Sequence, residues 1–243
     1  MTKKILLIHS SIIPGIYLSK LQANLPCEVE LFPLAPSSHV YDSISTHPDI
    51  FMFQADKKNI IVSENIAKAV SEKLFEYNIN TINAGSFPTG KYPSSAILNA
   101  AKVGNYYIHN TEYTNTVILT FAQQNHFSVI NVNQGYTRCS TVPVTEKALI
   151  TSDKGITNKV IPFGLKVLLI RPEHVILNGQ KYGFIGGASG TFIDGTTVFL
   201  GDITKHPDFN AIDVFFKGLN QTYRYLKGLP LIDAGSLIFV EKQ

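Results

Sequence analysis

The feature that most constrains this chain is a hairpin-like segment that recurs at spacings of 46, 45, 49 and 47 residues. In each copy two apolar runs flank a polar turn, which is the pattern of a β-hairpin. The clearest turn is Asp194-Gly195, because a two-residue hairpin loop favours residues that adopt positive φ. A repeat of this length predicts several copies of one supersecondary unit. The copies begin at Asp49, Ser95, Ser140, Ser189 and Ser236.

A helix-like and then a strand-like segment follow each of the first four hairpins. Residues 65–77 have apolar side chains at helical spacing, and the short apolar run at 80–84 is typical of a strand. The unit is therefore predicted to be strand, strand, helix and strand. The same order is repeated at 115–125 and 128–132, at 157–162 and 165–170, and at 208–219 and 222–226.

The fifth hairpin begins at Ser236, and Gln243 is the last residue of the sequence. The segments 4–10, 17–24 and 28–32 have the strand, helix and strand that this copy lacks. Joining them to it removes exposed sheet edges. We expect one α/β domain over residues 1–243, a five-bladed β/α-propeller of five ββαβ units with pseudo-fivefold symmetry, whose ring closes where the N-terminal segment joins the C-terminal strand. The alternative is an open α/β sheet with accidental spacing.

The composition, the net charge and the apolar runs of the chain indicate which kinds of partner to expect. Hydrophobic residues make up 44% and charged residues 16% of the chain, as in soluble globular proteins. A net charge of +3 with scattered basic residues does not indicate nucleic-acid binding. The apolar run 5–8 is interrupted by His9 and Ser10, and no stretch has the length of a membrane span. We expect a cytoplasmic protein with no nucleic-acid or membrane partner.

The two cysteines, Cys27 and Cys139, are expected to be free thiols in a reducing compartment. No CxxC pair occurs, and the histidines do not have the spacing of metal ligands. The expectation is that the protein uses no metal and no cofactor.

Three short sequence motifs add to the repeat pattern: His47-Pro48-Asp49, the run 133–140 (NQGYTRCS) and the run 182–187 (YGFIGG). With the repeat, they resemble the guanidino-group modifying enzymes, the pentein superfamily, over the whole chain. The resemblance implies a cysteine that attacks a guanidinium carbon, a histidine that transfers protons and carboxylates that bind the cation. That set suits the chemistry, because a thiolate is a strong nucleophile and paired carboxylates match a planar guanidinium.

The sequence departs from this family at the nucleophile. The family's cysteine lies at the head of the last blade, whereas the run 231–237 (LIDAGSL) contains none. The resemblance therefore implies that Cys139 is a relocated nucleophile, and the alternative is a small buried residue. The charge of Arg138 would lower the pKa of this thiol if the guanidinium approached it.

The remaining candidates have two interpretations each. His47 is either the acid and base of the reaction or part of a turn, and Asp49 either binds a cation or caps a turn. Asp153 and Asp202 either complete the cation clamp or cap the helices that follow them. Ser189, Ser236 and Asp233 precede or begin hairpins and are expected to line the channel.

Three functions remain open. The first is a cofactor-free thiol hydrolase or transferase that acts on a small molecule bearing a guanidine or amidine group. The second is a pentein without catalysis that binds a small cationic ligand, guanidine- or amine-bearing. The third is an interaction protein similar to the ribosome anti-association factor.

Overall fold

The computed structural model describes residues 4–243 as a mixed α/β fold of short strands and helices. The strands are β1 (Ile5–Ser10), β2 (Glu30–Leu34), β3 (Met52–Gln54), β4 (Asn59–Val62), β5 (Asn80–Asn83), β6 (Ala101–Val103), β7 (Tyr106–His109), β8 (Ser128–Asn131), β9 (Thr141–Thr145), β10 (Ala148–Thr151), β11 (Lys166–Leu169), β12 (Ser189–Thr191), β13 (Thr197–Phe199), β14 (Tyr223–Tyr225) and β15 (Ile238–Glu241). The α-helices are α1 (Gly15–Asn24), α2 (Pro48–Phe51), α3 (Ala67–Phe75), α4 (Thr116–Gln124), α5 (Thr137–Ser140), α6 (Lys154–Val160) and α7 (Phe209–Gly218). Short 3-10 turns lie at Asp42–Ile44, Glu64–Ile66, Ser94–Ala96, Ile161–Phe163 and Ile203–Lys205.

The strands form five three-stranded sheets with one shared pattern. Sheet 1 is β3-β4-β5, sheet 2 is β6-β7-β8, sheet 3 is β9-β10-β11, sheet 4 is β12-β13-β14 and sheet 5 is β15-β1-β2. In every sheet the first strand pairs antiparallel with the middle strand, and the last strand pairs parallel with it. A helix connects each parallel pair, as a crossover between parallel strands requires. The predicted unit of strand, strand, helix and strand is confirmed.

Sheet 5 contains strands from the two distant parts of the chain. β1 pairs antiparallel with β15, with Ile5 opposite Glu241 and Ile8 opposite Ile238, and it pairs parallel with β2. The prediction that the N-terminal segment completes the fifth unit is confirmed.

Hydrophobic clusters lie between neighbouring sheets. Because successive side chains of a strand point to opposite faces, Leu6 and Ile8 of β1 pack with sheet 1, whereas Ile5 and Leu7 pack with sheet 4. Each of the five clusters joins two sheets in this way: sheets 5 and 1, 1 and 2, 2 and 3, 3 and 4, and 4 and 5.

The starts of three hairpins differ from the prediction. We expected strands from Asp49, Ser95 and Ser140, but a helical or 3-10 turn comes first and the strand begins later, at Met52, Ala101 and Thr141. Pro48 explains the first case, since its fixed φ suits the first residue of a helical turn. We call the residues immediately before or at the start of each first strand the hairpin head.

In the part of the chain that the structure describes, no helix has the length and apolar character needed to cross a membrane.

Candidate functional site

Four hairpin heads bring polar side chains into one buried group, which we call the central cluster. Apart from the partly buried Arg138, each member is at most 5% exposed. The cluster consists of His47 and Asp49 before sheet 1, Asn99 before sheet 2, Arg138 and Cys139 before sheet 3, and Asp233 and Ser236 before sheet 5.

Cys139 lies at the centre of these contacts. The helical turn α5 directs its Sγ to Asp49, and the thiol donates to Oδ2 of that carboxylate at 3.2 Å. The side-chain amide of Asn99 donates to the same sulfur at 3.1 Å. A thiol and a carboxylate in direct contact can exchange a proton, so this pair has the elements of a reactive site.

Burial raises the pKa of the Cys139 thiol well above its ordinary value, and the negative charges of Asp49 and Asp233 raise it further. The charge of Arg138 interacts with Cys139 but does not outweigh these effects. The guanidinium of Arg138 instead donates to the backbone carbonyls of Thr141, Gly186 and Ser189, at 2.9, 3.1 and 3.3 Å.

Asp49 is shared by two hairpin heads. Its Oδ2 accepts from Cys139 and also from the Ser236 hydroxyl, at 2.6 Å. Its Oδ1 is buried and has no hydrogen-bond partner among residues 4–243. Burial raises the pKa of this carboxyl. One side of the carboxylate is thus held by the protein, and the other is available to a ligand.

His47 lies beside a second carboxylate. Its Nδ1 is 3.8 Å from Asp233 Oδ1, and within the described residues neither ring nitrogen has a hydrogen-bond partner. Burial lowers the pKa of His47 to about 4, so the ring is neutral at neutral pH. The close approach depends on Gly235, since a Cβ at that position would overlap the His47 side chain.

Asp233 is fixed by the backbone. Its Oδ2 accepts from the Phe184 N–H at 2.9 Å and its Oδ1 accepts from the Gly235 N–H at 3.1 Å. Burial raises its pKa to about 6. A Cβ at Gly187 would overlap this carboxylate, so the glycine is what permits the close approach of the backbone.

The unpaired atoms of His47 and Asp49 are informative. Buried polar atoms in proteins almost always have a hydrogen-bond partner, so orphaned atoms need a cause. Three of them lie together here, on a carboxylate and an imidazole. Their chemistry suits a ligand that donates hydrogen bonds and carries positive charge.

A cavity of about 630 Å³ leads to the central cluster. The first strands of all five sheets contribute to its wall, and we call it the inner-strand cavity. Asp49, Arg138 and Ser236 are the members of the central cluster that line it. Charged residues of the hairpins also line it: Asp56, Lys57, Lys102, Glu146, Asp194 and Glu241.

A network of hydroxyl groups lies near Cys139. The Tyr41 and Tyr136 hydroxyls are 2.8 Å apart, and Tyr136 is 2.6 Å from the Ser95 hydroxyl. The pKa of Tyr41 is raised chiefly by burial, with a contribution from the charges of Cys139 and Asp233. These tyrosines therefore form part of the surroundings of the thiol.

Asp153 and Asp202 are not brought into this cluster. Asp153 caps α6 by accepting from the Ile156 N–H at 2.9 Å, and Asp202 caps a 3-10 turn by accepting from the Thr204 N–H at 3.1 Å. Within residues 4–243 no hydrogen bond or ion pair joins either one to the central cluster. These hydrogen bonds agree with the capping interpretation of both carboxylates. Ser189 is buried and donates to Gly186 O at 2.9 Å, beside the cluster.

Asn99 is a cluster member that the sequence analysis missed. It is a fully buried polar residue within the apolar run 96–101. A lone polar residue in such a run was the available signal, since buried polar groups need specific partners.

Within residues 4–243 no group of three or more His, Cys, Asp or Glu side chains is arranged to hold a metal ion.

Two solved structures are similar to this chain. An agmatine deiminase from C. jejuni has a TM-score of 0.55 at 8% identity, and the match covers 99% of this chain and 97% of that chain. A putative arginine deiminase from Porphyromonas gingivalis has a TM-score of 0.45 at 9% identity, covering 91% and 89%. The first likeness shows a shared, pentein-like fold. Nothing is inferred from the second, whose TM-score is below 0.5.

The comparisons of sequence give one match. None of the curated proteins matches this chain. The model of the family of unknown function DUF6873 matches residues 17–238, which is most of the sequence. The chain therefore belongs to the DUF6873 family.

Proposed function

We propose that the protein is a cofactor-free hydrolase that uses the Cys139 thiol on the guanidine or amidine group of a small molecule. The observation that carries this proposal is the 3.2 Å contact of Cys139 Sγ with Asp49 Oδ2, inside a buried cluster with an unpaired carboxylate oxygen and an unpaired imidazole. The fold shared with a protein named agmatine deiminase agrees with this chemistry.

The ligand would be held by charge. Asp49 and Asp233 are buried, and Arg138 is the basic side chain in the central cluster that carries a charge at neutral pH. A guanidinium is planar and cationic, so it can donate to the free Oδ1 of Asp49 and offset the cost of burying that carboxylate. The inner-strand cavity provides the route, because Asp49 and Ser236 form part of its wall.

Ligand binding would also activate the thiol. The charge of Asp49 is one cause of the raised pKa of Cys139, and a bound cation would reduce it. The thiol donates to Asp49 Oδ2, so its proton would pass to that carboxylate, and neutral His47 is the proposed base for the water that follows. A C–S bond then forms at the guanidine carbon, and a C–N bond breaks as Asp49 returns the proton to the leaving amine. Water then adds to that carbon, the C–S bond breaks and the thiol is regenerated.

A second function is favoured by one observation. The raised pKa of Cys139 keeps the thiol protonated in the free protein, which suits a cation-binding protein without catalysis. In that case the carboxylates would bind the ligand, and Cys139 would only fill space.

We also infer that the five sheets are the blades of one closed propeller. Two observations support this inference. Hydrophobic clusters join every sheet to the next, and sheet 5 to sheet 1, so the contacts run in a ring. The first strands of all five sheets also line one cavity. Such an arrangement would place all five hairpin heads around one axis.

The test combines ligand-induced thermal stabilisation with turnover, using agmatine and arginine-like compounds. A ligand at 100 times its Kd should stabilise the parent protein by about 2.7 kcal/mol. Cys139→Ala should keep this stabilisation and lose release of amine, while Asp49→Asn should lose both. Asp153→Asn is the matched control, because that carboxylate caps a helix, and it should behave as the parent.

Binding without turnover in the parent would identify the second function. If no guanidine or amidine compound stabilises the parent protein, both functions are wrong.

A further inference from the structure

Four of the hydrogen bonds of Asn99 join it to other hairpin heads, at the junction of three sheets. Its backbone carbonyl accepts from the Arg138 N–H at 2.9 Å, and its Oδ1 accepts from the Cys139 N–H at 3.1 Å. Its Nδ2 donates to the Asp49 carbonyl at 2.9 Å and to Cys139 Sγ at 3.1 Å. One residue thus links the hairpin heads of sheets 1, 2 and 3.

These partners fix which way the amide faces. The Cys139 N–H can only donate, so the atom facing it must be the oxygen of the amide. The Asp49 carbonyl can only accept, so the atom facing it must be the nitrogen. Both assignments agree, and the second N–H of that nitrogen is therefore directed at the sulfur.

An N–H directed at sulfur favours the thiolate over the thiol, because hydrogen bonds to an ionised acceptor are stronger. The other polar neighbours of the sulfur act differently. Asp49 accepts the hydrogen bond of the thiol and Asp233 adds negative charge, while Arg138 acts through its charge and its guanidinium donates to backbone carbonyls. The Asn99 amide is thus the donor placed to stabilise negative charge on the sulfur.

We propose that Asn99 is the positioning residue of this site, which holds Cys139 Sγ against Asp49 and stabilises it as the thiolate. The inference rests on the proposed function in taking Cys139 as the nucleophile.

The test measures ionisation of the thiol directly and needs no ligand. In a Cys27→Ala background, ultraviolet thiolate absorbance is followed against pH as the difference from the matching Cys139→Ala protein, so that tyrosine ionisation cancels. Asn99→Ala should reduce the thiolate population at a given pH roughly tenfold, the effect of losing one hydrogen bond to a charged atom, and Asn99→Asp should reduce it further because a carboxylate there adds negative charge beside the sulfur. Asn99→Asp is close in shape to asparagine and keeps the oxygen for the Cys139 N–H.

Asn115→Ala is the matched control, since Asn115 is also buried and also uses its whole amide. It accepts from the Val117 N–H and donates to Ala84 O and the Ser86 hydroxyl, outside the central cluster. It should lower stability without moving the thiol titration. If the Cys139 thiol ionises over the same pH range in both Asn99 variants as in the parent protein, the inference is overturned.

The two proposals fail separately. A shifted titration in a protein that hydrolyses no guanidine compound would retain the role of Asn99 and remove the enzyme function. An unshifted thiol titration in a protein that hydrolyses a guanidine compound would retain the enzyme function and remove the role of Asn99.

Discussion

Two hairpin heads, those of sheets 3 and 5, reach the same atom with different chemistry. Cys139 Sγ is 3.2 Å and Ser236 Oγ is 2.6 Å from Oδ2 of Asp49. Cys139 lies within the helical turn α5, whereas Ser236, directly after Gly235, has a left-handed backbone with φ of 69°. The heads therefore differ in local structure but deliver a side chain to one point.

The comparison teaches how a nucleophile can change its place in a repeat protein. The resemblance to guanidino-group modifying enzymes implies a cysteine at the head of the last blade, where this chain has Ser236. Because both heads contact the carboxylate of Asp49, a thiol at either head lies next to the same proposed cation-binding group. The location of the proposed chemistry is thus retained although the residue is supplied by another repeat.

Exchanging the two side chains should have the largest effect. Cys139→Ser should lower turnover of a guanidine compound by at least about 10³-fold, because a hydroxyl is a far weaker nucleophile at neutral pH. Adding Ser236→Cys to this variant should raise turnover at least tenfold again, which corresponds to roughly 1.4 kcal/mol of the activation free energy. The readout is release of amine under saturating compound. A double variant as inactive as Cys139→Ser would show that the two heads are not equivalent.

Removing the serine hydroxyl should have an intermediate effect. Ser236→Ala deprives Asp49 of a donor that lowers its pKa, so fewer carboxylates are ionised and a guanidine ligand should bind roughly tenfold more weakly. Calorimetric titration gives the affinity. Ser189→Ala is the matched control, since both hydroxyl oxygens lie within hydrogen-bond distance of Gly186 O and Ser236 is the one that donates to Asp49. Equal losses of affinity in the two variants would contradict this role.

The pH dependence of stability should show the smallest effect. The pKa of His47 falls from 6.5 to about 4 on folding, so the unfolded chain binds a proton in that range that the folded protein does not. Stability is therefore lost as pH falls from 6.5 to about 4, by at most about 1.4 kcal/mol for each pH unit. Asp233 opposes this, because its pKa is raised to about 6 and its folded form takes up a proton there.

His47→Gln removes the histidine contribution and leaves that of Asp233. Urea unfolding of both proteins across this range should show a smaller acid-induced loss in His47→Gln. Parallel pH profiles would mean that His47 is not buried in the neutral form.

The sequence predicted the strand order well because the repeat imposes one pattern of apolar residues on every copy. The five hairpins and the strand added from residues 4–10 follow from such patterns. The proximity of Cys139 to Asp49, two candidates of the proposed site, also follows from their equivalent places in the repeat.

Other features depend on burial and on contacts between copies, which no local pattern encodes. The raised pKa of Cys139 depends on burial and on carboxylates from sheets 1 and 5. Asn99 is marked in the sequence only as a lone polar residue in an apolar run, and its partners become evident where three heads meet. By contrast, the cap that Asp153 makes with α6 is local and was one of its two predicted interpretations.

The pairing of β1 with β15 has a consequence for synthesis on the ribosome. Residues 5–8 leave the exit tunnel long before their antiparallel partner strand, which runs to Glu241, has been made. Until then the run Ile-Leu-Leu-Ile, which is buried on both faces in the finished protein, lacks this partner strand. A nascent apolar strand with an open edge is a binding site for chaperones and a starting point for aggregation. Slower translation of the segment between β1 and β15 would therefore prolong the interval in which the nascent chain depends on chaperones.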